Sequence, residues 1–119
     1  MTEYQTANRR ILVKDESAGT AAIAASFAAK RVSRVVSVTL KMSAAPTTSQ
    51  SFTITLNAAA GTAYDILLYT LDLSISGVTM LMWQPDQELW LAIGDSIDVA
   101  YTNTDTRTYG VQATFLEEL

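Results

Sequence analysis

The chain has 119 residues, 49% hydrophobic and 17% charged, with a formal net charge of −4 and neither cysteine nor histidine. That length suits one domain with its own core, and so apolar a composition excludes a disordered chain. Without cysteine there is no disulfide framework or thiolate metal site, and without histidine the commonest general base and metal ligand near neutral pH are gone.

No apolar run approaches the roughly 18 residues of a membrane span, and "MTEYQTANRR" has no apolar segment behind its charges, so no signal peptide is expected. The charge is unevenly placed. Residues 1–41 hold seven of the eight basic side chains and three acidic ones, giving +4; residues 42–119 hold Arg107 and nine acidic ones, giving −8. A basic leader on an acidic body can latch onto an acidic neighbour, including another copy of itself. Nucleic acid is the sharper alternative. The acidic body would repel phosphate, and the aromatics are not interleaved with Arg or Lys.

In chain order, "RRILVKDE" (9–16) reads as a short strand. "AGTAAIAASFAAKR" (18–31) is ambiguous: Ile23 and Phe27, four apart, would share a helix face, yet so thin a stripe also suits an extended arm. Residues 1–31 are therefore expected as an N-terminal arm or edge segment, and 32–119 as a β-sandwich domain. "VVSVTLKM" (35–42) and "SFTITLN" (51–57) alternate apolar and polar residues, as half-buried strands do, with the loop "SAAPTTSQ" between them. "YDILLYTLDL" (64–73) is apolar on both faces and reads as a central strand covered on both sides. "SISG" turns the chain into "VTMLMW" (78–83), and "QPDQ" (84–87) turns it again into "LWLAI" (89–93). "SIDVAYT" (96–102), the polar "NTDTRT" and "YGVQATFL" (109–116) complete it. Seven or eight short strands at roughly ten-residue intervals predict an all-β, antiparallel β-sandwich, jelly-roll-like, with an extended N-terminal arm.

Asp65 and Asp72 are the nearest thing to a catalytic pair. Seven positions apart, they would point to opposite faces of a strand and lie about 23 Å apart, whereas glycosidase carboxyls stand roughly 5–10 Å apart. Each is expected at a strand end, bonding a turn or facing solvent. Asp86, Glu88, Asp95, Asp98 and Asp105 fall in or near turns but match no calcium loop. A serine nucleophile has no activating base, and the five glycines are scattered rather than clustered around a phosphate. Trp83 and Trp90 flank the "QPDQ" turn; they could form a sugar-stacking platform, or serve as core or interface anchors. No enzyme activity and no cofactor are expected.

Gly61, Tyr64 and Asp65, then Trp83 and Pro85, Gly94 and Asp95, Tyr101 and Asn103, and finally Tyr109 and Gly110 resemble a pattern in small β-sandwich proteins of tailed-bacteriophage virions. The resemblance covers about residues 52–115, and its motifs mark strand ends and turns. Some relatives by this resemblance are capsid decoration, or cement, proteins, which sit as trimers or dimers on the head lattice and bridge capsomers, often through an N-terminal arm. The resemblance therefore implies a virion protein made in the host cytoplasm and placed on the capsid surface. Its partners would be the major capsid protein or other virion proteins and further copies of itself, as a trimer, with no nucleic acid or membrane. The expected partner contacts are Arg9, Arg10, Ile11, Val13, Lys14, Ile23, Phe27, Lys30 and Arg31 in the leader, with Trp83 and Trp90 in the body. Removing residues 1–31 is expected to leave the body folded but unable to bind capsids. A tail or fibre component, or a carbohydrate-binding adhesin using the two Trp residues, are the alternatives.

Overall fold

The computed structural model describes residues 10–118. They form nine strands: β1 (Arg10–Gly19), β2 (Ile23–Ala28), β3 (Ser33–Met42), β4 (Ser51–Asn57), β5 (Ile66–Asp72), β6 (Met80–Trp83), β7 (Trp90–Leu91), β8 (Ser96–Tyr101) and β9 (Tyr109–Glu118). A 3-10 turn (Thr62–Tyr64) precedes β5, and a one-turn helix, α1 (Leu73–Ser76), follows it. One sheet runs β1-β9-β3-β6, with β7 also on β3; the other runs β2-β8-β4-β5. Every pairing is antiparallel.

β6 pairs with Val38–Lys41 and β7 with Ser33–Arg34, so the two are pieces of one interrupted edge position. Counted so, the molecule has eight strand positions in two four-stranded sheets, and the chain crosses repeatedly from one sheet to the other. That order is a jelly roll. Alternation builds the core between the sheets. Val38, Leu40, Val111 and Ala113 of the first sheet meet Phe52, Ile54, Ile97 and Val99 of the second, all at most 2% exposed.

The leader is not a free arm over residues 10–31. β1 pairs with β9 along all ten residues, from Arg10 opposite Glu118 to Gly19 opposite Tyr109. β2 pairs with β8 from Ile23 opposite Tyr101 to Ala28 opposite Ser96. Both are edge strands, one per sheet. A spacing of four fits a period of two as well as one of 3.6, and here the period of two prevails. Ile23 and Phe27 enter the core at 2% and 6% exposure, while Ala24, Ser26 and Ala28 face water.

The second departure is β5, expected at the centre of a sheet and found at the edge of one, beside β4 alone. Leu68, Tyr69 and Leu71 pack partly against the core, but Ile66 and Leu67 are 52% and 57% exposed.

The connections are locked by side chains. Asn103, at φ 53 and buried, donates from Nδ2 to the carbonyls of Thr20, Ala21 and Arg107, and its Oδ1 accepts from the Arg107 N–H. It thereby ties the β1–β2 connection to the β8–β9 connection. Asp105 accepts from the Thr47 N–H (2.8 Å), the Thr48 N–H (2.9 Å) and the Thr48 hydroxyl (2.7 Å), pinning the β3–β4 loop. At α1, Gly77 takes the left-handed conformation (φ 62) that ends a helix turn, and its N–H returns to the carbonyls of Leu73 and Ser74.

Candidate interaction surface

Six of the seven carboxylates weighed for chemistry accept hydrogen bonds from groups of the fold itself. Asp65 accepts from the Ala58 N–H at 2.8 Å. Asp72 caps α1, accepting from the Ser74 and Ile75 N–H groups and from the hydroxyls of Ser49 and Ser74. Asp95 accepts from the Ala59 and Ala92 N–H groups, both at 2.9 Å. Asp98 takes the hydroxyls of Ser26 and Ser96 and the Asn57 amide. Glu88 accepts from Arg34, while Asp86 lies in the turn before it.

At Asp72, Asp98 and Asp105 such bonds favour the ionised form. The Ser49 and Ser74 hydroxyls hold Asp72 down at about 2, and Thr48 and Thr47 do the same to Asp105. Burial raises Asp98, but its three side-chain donors outweigh that and leave it lowered. Burial raises the Tyr101 phenol, with help from the charges of Asp105 and Asp72. Asp65 and Asp72 stand at opposite ends of β5, each turned to its own loop, so they share no site. Among the described residues, no three His, Cys, Asp or Glu side chains are grouped to hold a metal ion.

The two tryptophans face opposite ways, and the sugar platform is not built. Trp83 is paired with Val38, whose side chain is in the core, and packs against that core. Trp90 is paired with Arg34 on the outer face of the first sheet and stays 36% exposed. The Arg10 guanidinium lies 5.8 Å from its ring centroid, within cation–π range.

The outer face of the first sheet gathers part of the expected contact set. Leu12, Leu116, Arg34 and Trp90 form one row across β1, β9, β3 and β7. Arg10 and Lys14 flank that row on β1. Leu12 is 58% exposed, Arg10 reaches Glu118 at 3.7 Å, and Arg34 reaches Glu88 at 3.1 Å. Trp and Arg on an exposed sheet face, with ion pairs at the margin, are residue types enriched at interfaces.

The remaining expected contacts divide. Ile11 and Val13 point to the other face of β1, towards the rim between the sheets; Val13 borders a small cavity with Phe115 and Lys30. Lys30 and Arg31 are exposed in the loop from β2 to β3, at the same end of the sandwich as Arg10. Ile23 and Phe27 are core residues, so the folded protein offers neither to a partner. Arg9 lies outside the described residues.

Sequence reasoning missed the flank formed by β5, α1 and β6. Tyr64, Ile66, Leu67 and Ile75 are more than half exposed there, as are Met80 and Met82 on the outer face of the first sheet, opposite Lys41 and Thr39. Met80 and Met82 border an apolar recess of about 330 Å³ with Lys41 and Gly110. The signal was present: an apolar run on both faces suits a strand whose second apolar face meets another molecule as well as one buried within its own sheet.

No protein-family model matches the sequence, and no curated protein matches it. Among solved structures, the chain is similar to a chain of the acidic stable capsid structure of Helicobacter pylori bacteriophage KHP30. The TM-score is 0.55 at 13% sequence identity, over 92% of this chain and 89% of that one. A likeness of this kind is one of fold alone.

Proposed function

We propose that this chain is a structural protein of a phage virion, a capsid decoration protein that binds the head surface and stabilises contacts between capsomers. The observation that carries the reading is the row of Leu12, Arg34 and Trp90 with Arg10 beside it, an exposed sheet face built from residue types that anchor protein interfaces. The fold shared with a chain from a phage capsid, and the resemblance in the strand-end motifs, support the same class.

The action is mechanical. A rigid sandwich laid across a seam adds buried area that must be given up before the capsomers separate. A standard interface of roughly 1,600 Å² in total suffices for stable attachment. Several copies or linked contacts then raise avidity without tightening any single one. Residues 10–31 serve by building the clamp, since their strands complete both sheets. In this reading the protein binds rather than catalyses; Asp65, Asp72, Asp95 and Asp105 serve the loops and turns they bond, and Asp98 links β8 to β2 and β4.

The test is co-sedimentation with capsids lacking the protein. Trp90→Ala should weaken binding by about tenfold or more, as loss of an interface anchor does, while circular dichroism still shows the native strand content. Full binding by Trp90→Ala and by Arg10→Ala would contradict the assignment of this face. Removing residues 2–9, which precede β1, asks separately whether the first residues of the leader contribute.

A further inference from the structure

The outer face of the first sheet carries a second feature at the end away from Trp90. The register runs one row from Ala18 on β1 through Gly110 on β9 and Lys41 on β3 to Met80 on β6, and the next row ends in Thr39 and Met82. Gly110, Thr39, Lys41 and the two methionines line the recess of about 330 Å³. Met80 is 74% and Met82 65% exposed. The fold itself makes no demand for a glycine at 110. Positive φ among the described glycines belongs to Gly61, Gly77 and Gly94. The pairing on both sides of Gly110 runs on without a bulge, and a Cβ there would meet no atom within 4 Å. A glycine inside a strand weakens it, and where neither backbone nor packing asks for one it marks close approach by another molecule.

We propose that this recess is a second anchor point of the capsid-binding face, and that it receives an apolar side chain of the capsid protein with a carboxylate beside it. The inference rests on the proposed function and adds the chemistry of the partner. Methionine walls call for an apolar occupant, since unbranched thioether chains shape themselves around one. Lys41 calls for the carboxylate. It is exposed and makes no ion pair among the described residues. The acids of the same face are already engaged: Glu118 by Arg10, Glu88 by Arg34 and Glu16 by the Gln112 amide. The counter-charge for Lys41 therefore comes from a partner.

The recess continues the face that Trp90 begins. Trp90 lies opposite Arg34 and Met80 opposite Lys41, seven positions apart on β3, or about 20 Å. A single anchor leaves a bound domain free to pivot; two anchors so far apart on one face fix its direction. A second copy of the chain suits the recess less well. Asp65 beside Ile66 and Asp72 near Ile75 already accept from their own backbone N–H groups, so neither is free to meet Lys41.

The experiment is co-sedimentation of the full chain with capsids lacking the protein, with Trp90→Ala run alongside. Gly110→Val puts a side chain into the recess, Met80→Asn makes its wall polar, and Lys41→Glu reverses its charge. Ala24→Val, exposed on the outer face of the second sheet, is the control. Gly110→Val should keep native strand content by circular dichroism and melt no lower than the wild type, because valine suits a strand better than glycine, yet bind at least about tenfold more weakly. Met80→Asn and Lys41→Glu should also weaken binding, and the control should bind as the wild type does. If Trp90→Ala loses binding while all three recess variants keep it, this inference fails and the proposed function stands. A wild type that does not bind overturns both. A Gly110→Val chain without native strand content would also overturn the inference, since the fold would then need the glycine. So would self-association of the free chain that Gly110→Val abolishes in sedimentation equilibrium, since the recess would then belong to a second copy.

Discussion

Asn103 holds a left-handed backbone (φ 53) with 3% of its surface exposed, and its carboxamide serves three carbonyls and one N–H in two connections. Asn103→Ala would strand those carbonyls and force an alanine into that conformation, at a combined cost of about 3 kcal/mol. Asn103→Gly should recover only the conformational part, about 1 kcal/mol. Thermal denaturation of the pair measures the split: equal stability of the two would show that the left-handed backbone costs nothing, and an Asn103→Gly variant as stable as the wild type would show that the hydrogen bonds contribute nothing. Asp72 and Asp105 set the response to acid. Both are held at about 2 by hydroxyl and backbone donors, below the ordinary 3.8. A carboxylate whose folded pKa is lowered stabilises above its unfolded value and loses that contribution as pH falls through the folded one. The melting temperature should therefore hold steady from neutral pH to about 4 and fall between about 4 and 2. Asp105→Asn should melt lower at neutral pH and show a shallower acid limb. The sequence placed Asp65 and Asp72 at strand ends because an odd spacing forbids a shared face. It left Asn103 in a polar connection, since a residue that clamps two loops distant in the chain leaves no periodic trace.

β2 shows why the leader misled. Ile23 and Phe27 are separated by four, a number both a helix and a strand accept, and alanine suits either. Only the pairing with β8, some 70 residues onward, chooses between them. With both side chains in the core, Ile23→Ala should cost about 2–5 kcal/mol and Phe27→Ala about 3–5 kcal/mol. Deleting residues 1–31 removes an edge strand from each sheet and should yield an unfolded or aggregating chain, read by circular dichroism. A folded, soluble fragment with native strand content would restore the detachable arm. β5 erred in the opposite direction. Its apolar residues on both faces suggested a central strand covered on both sides, but β5 lies at a sheet edge with Ile66 and Leu67 exposed, because hydrophobicity alone does not say where a strand sits in its sheet. The strands of regular alternation, β3, β4, β8 and β9, were legible because one face of each is buried and the other wet.

At the scale of the whole molecule, alternation and turn spacing foretold a jelly-roll-like sandwich, and the order β1-β9-β3-β6 over β2-β8-β4-β5 is that architecture. Strand order itself was beyond the sequence, because the pairing of the first strand with the last is not local. The interaction surface was partly legible: Arg10, Lys14 and Trp90 share the outer face, while Trp83, Ile23 and Phe27 turn inward. The measurement that bears most directly on this account is cryo-electron microscopy of the phage particles to which the proposed function assigns the chain. The account predicts jelly-roll density repeated over the head exterior, with the Trp90 face against the capsid and the seams between capsomers bridged. Particles whose heads lack such density, with the protein confined to the tail or missing from the virion, would contradict it.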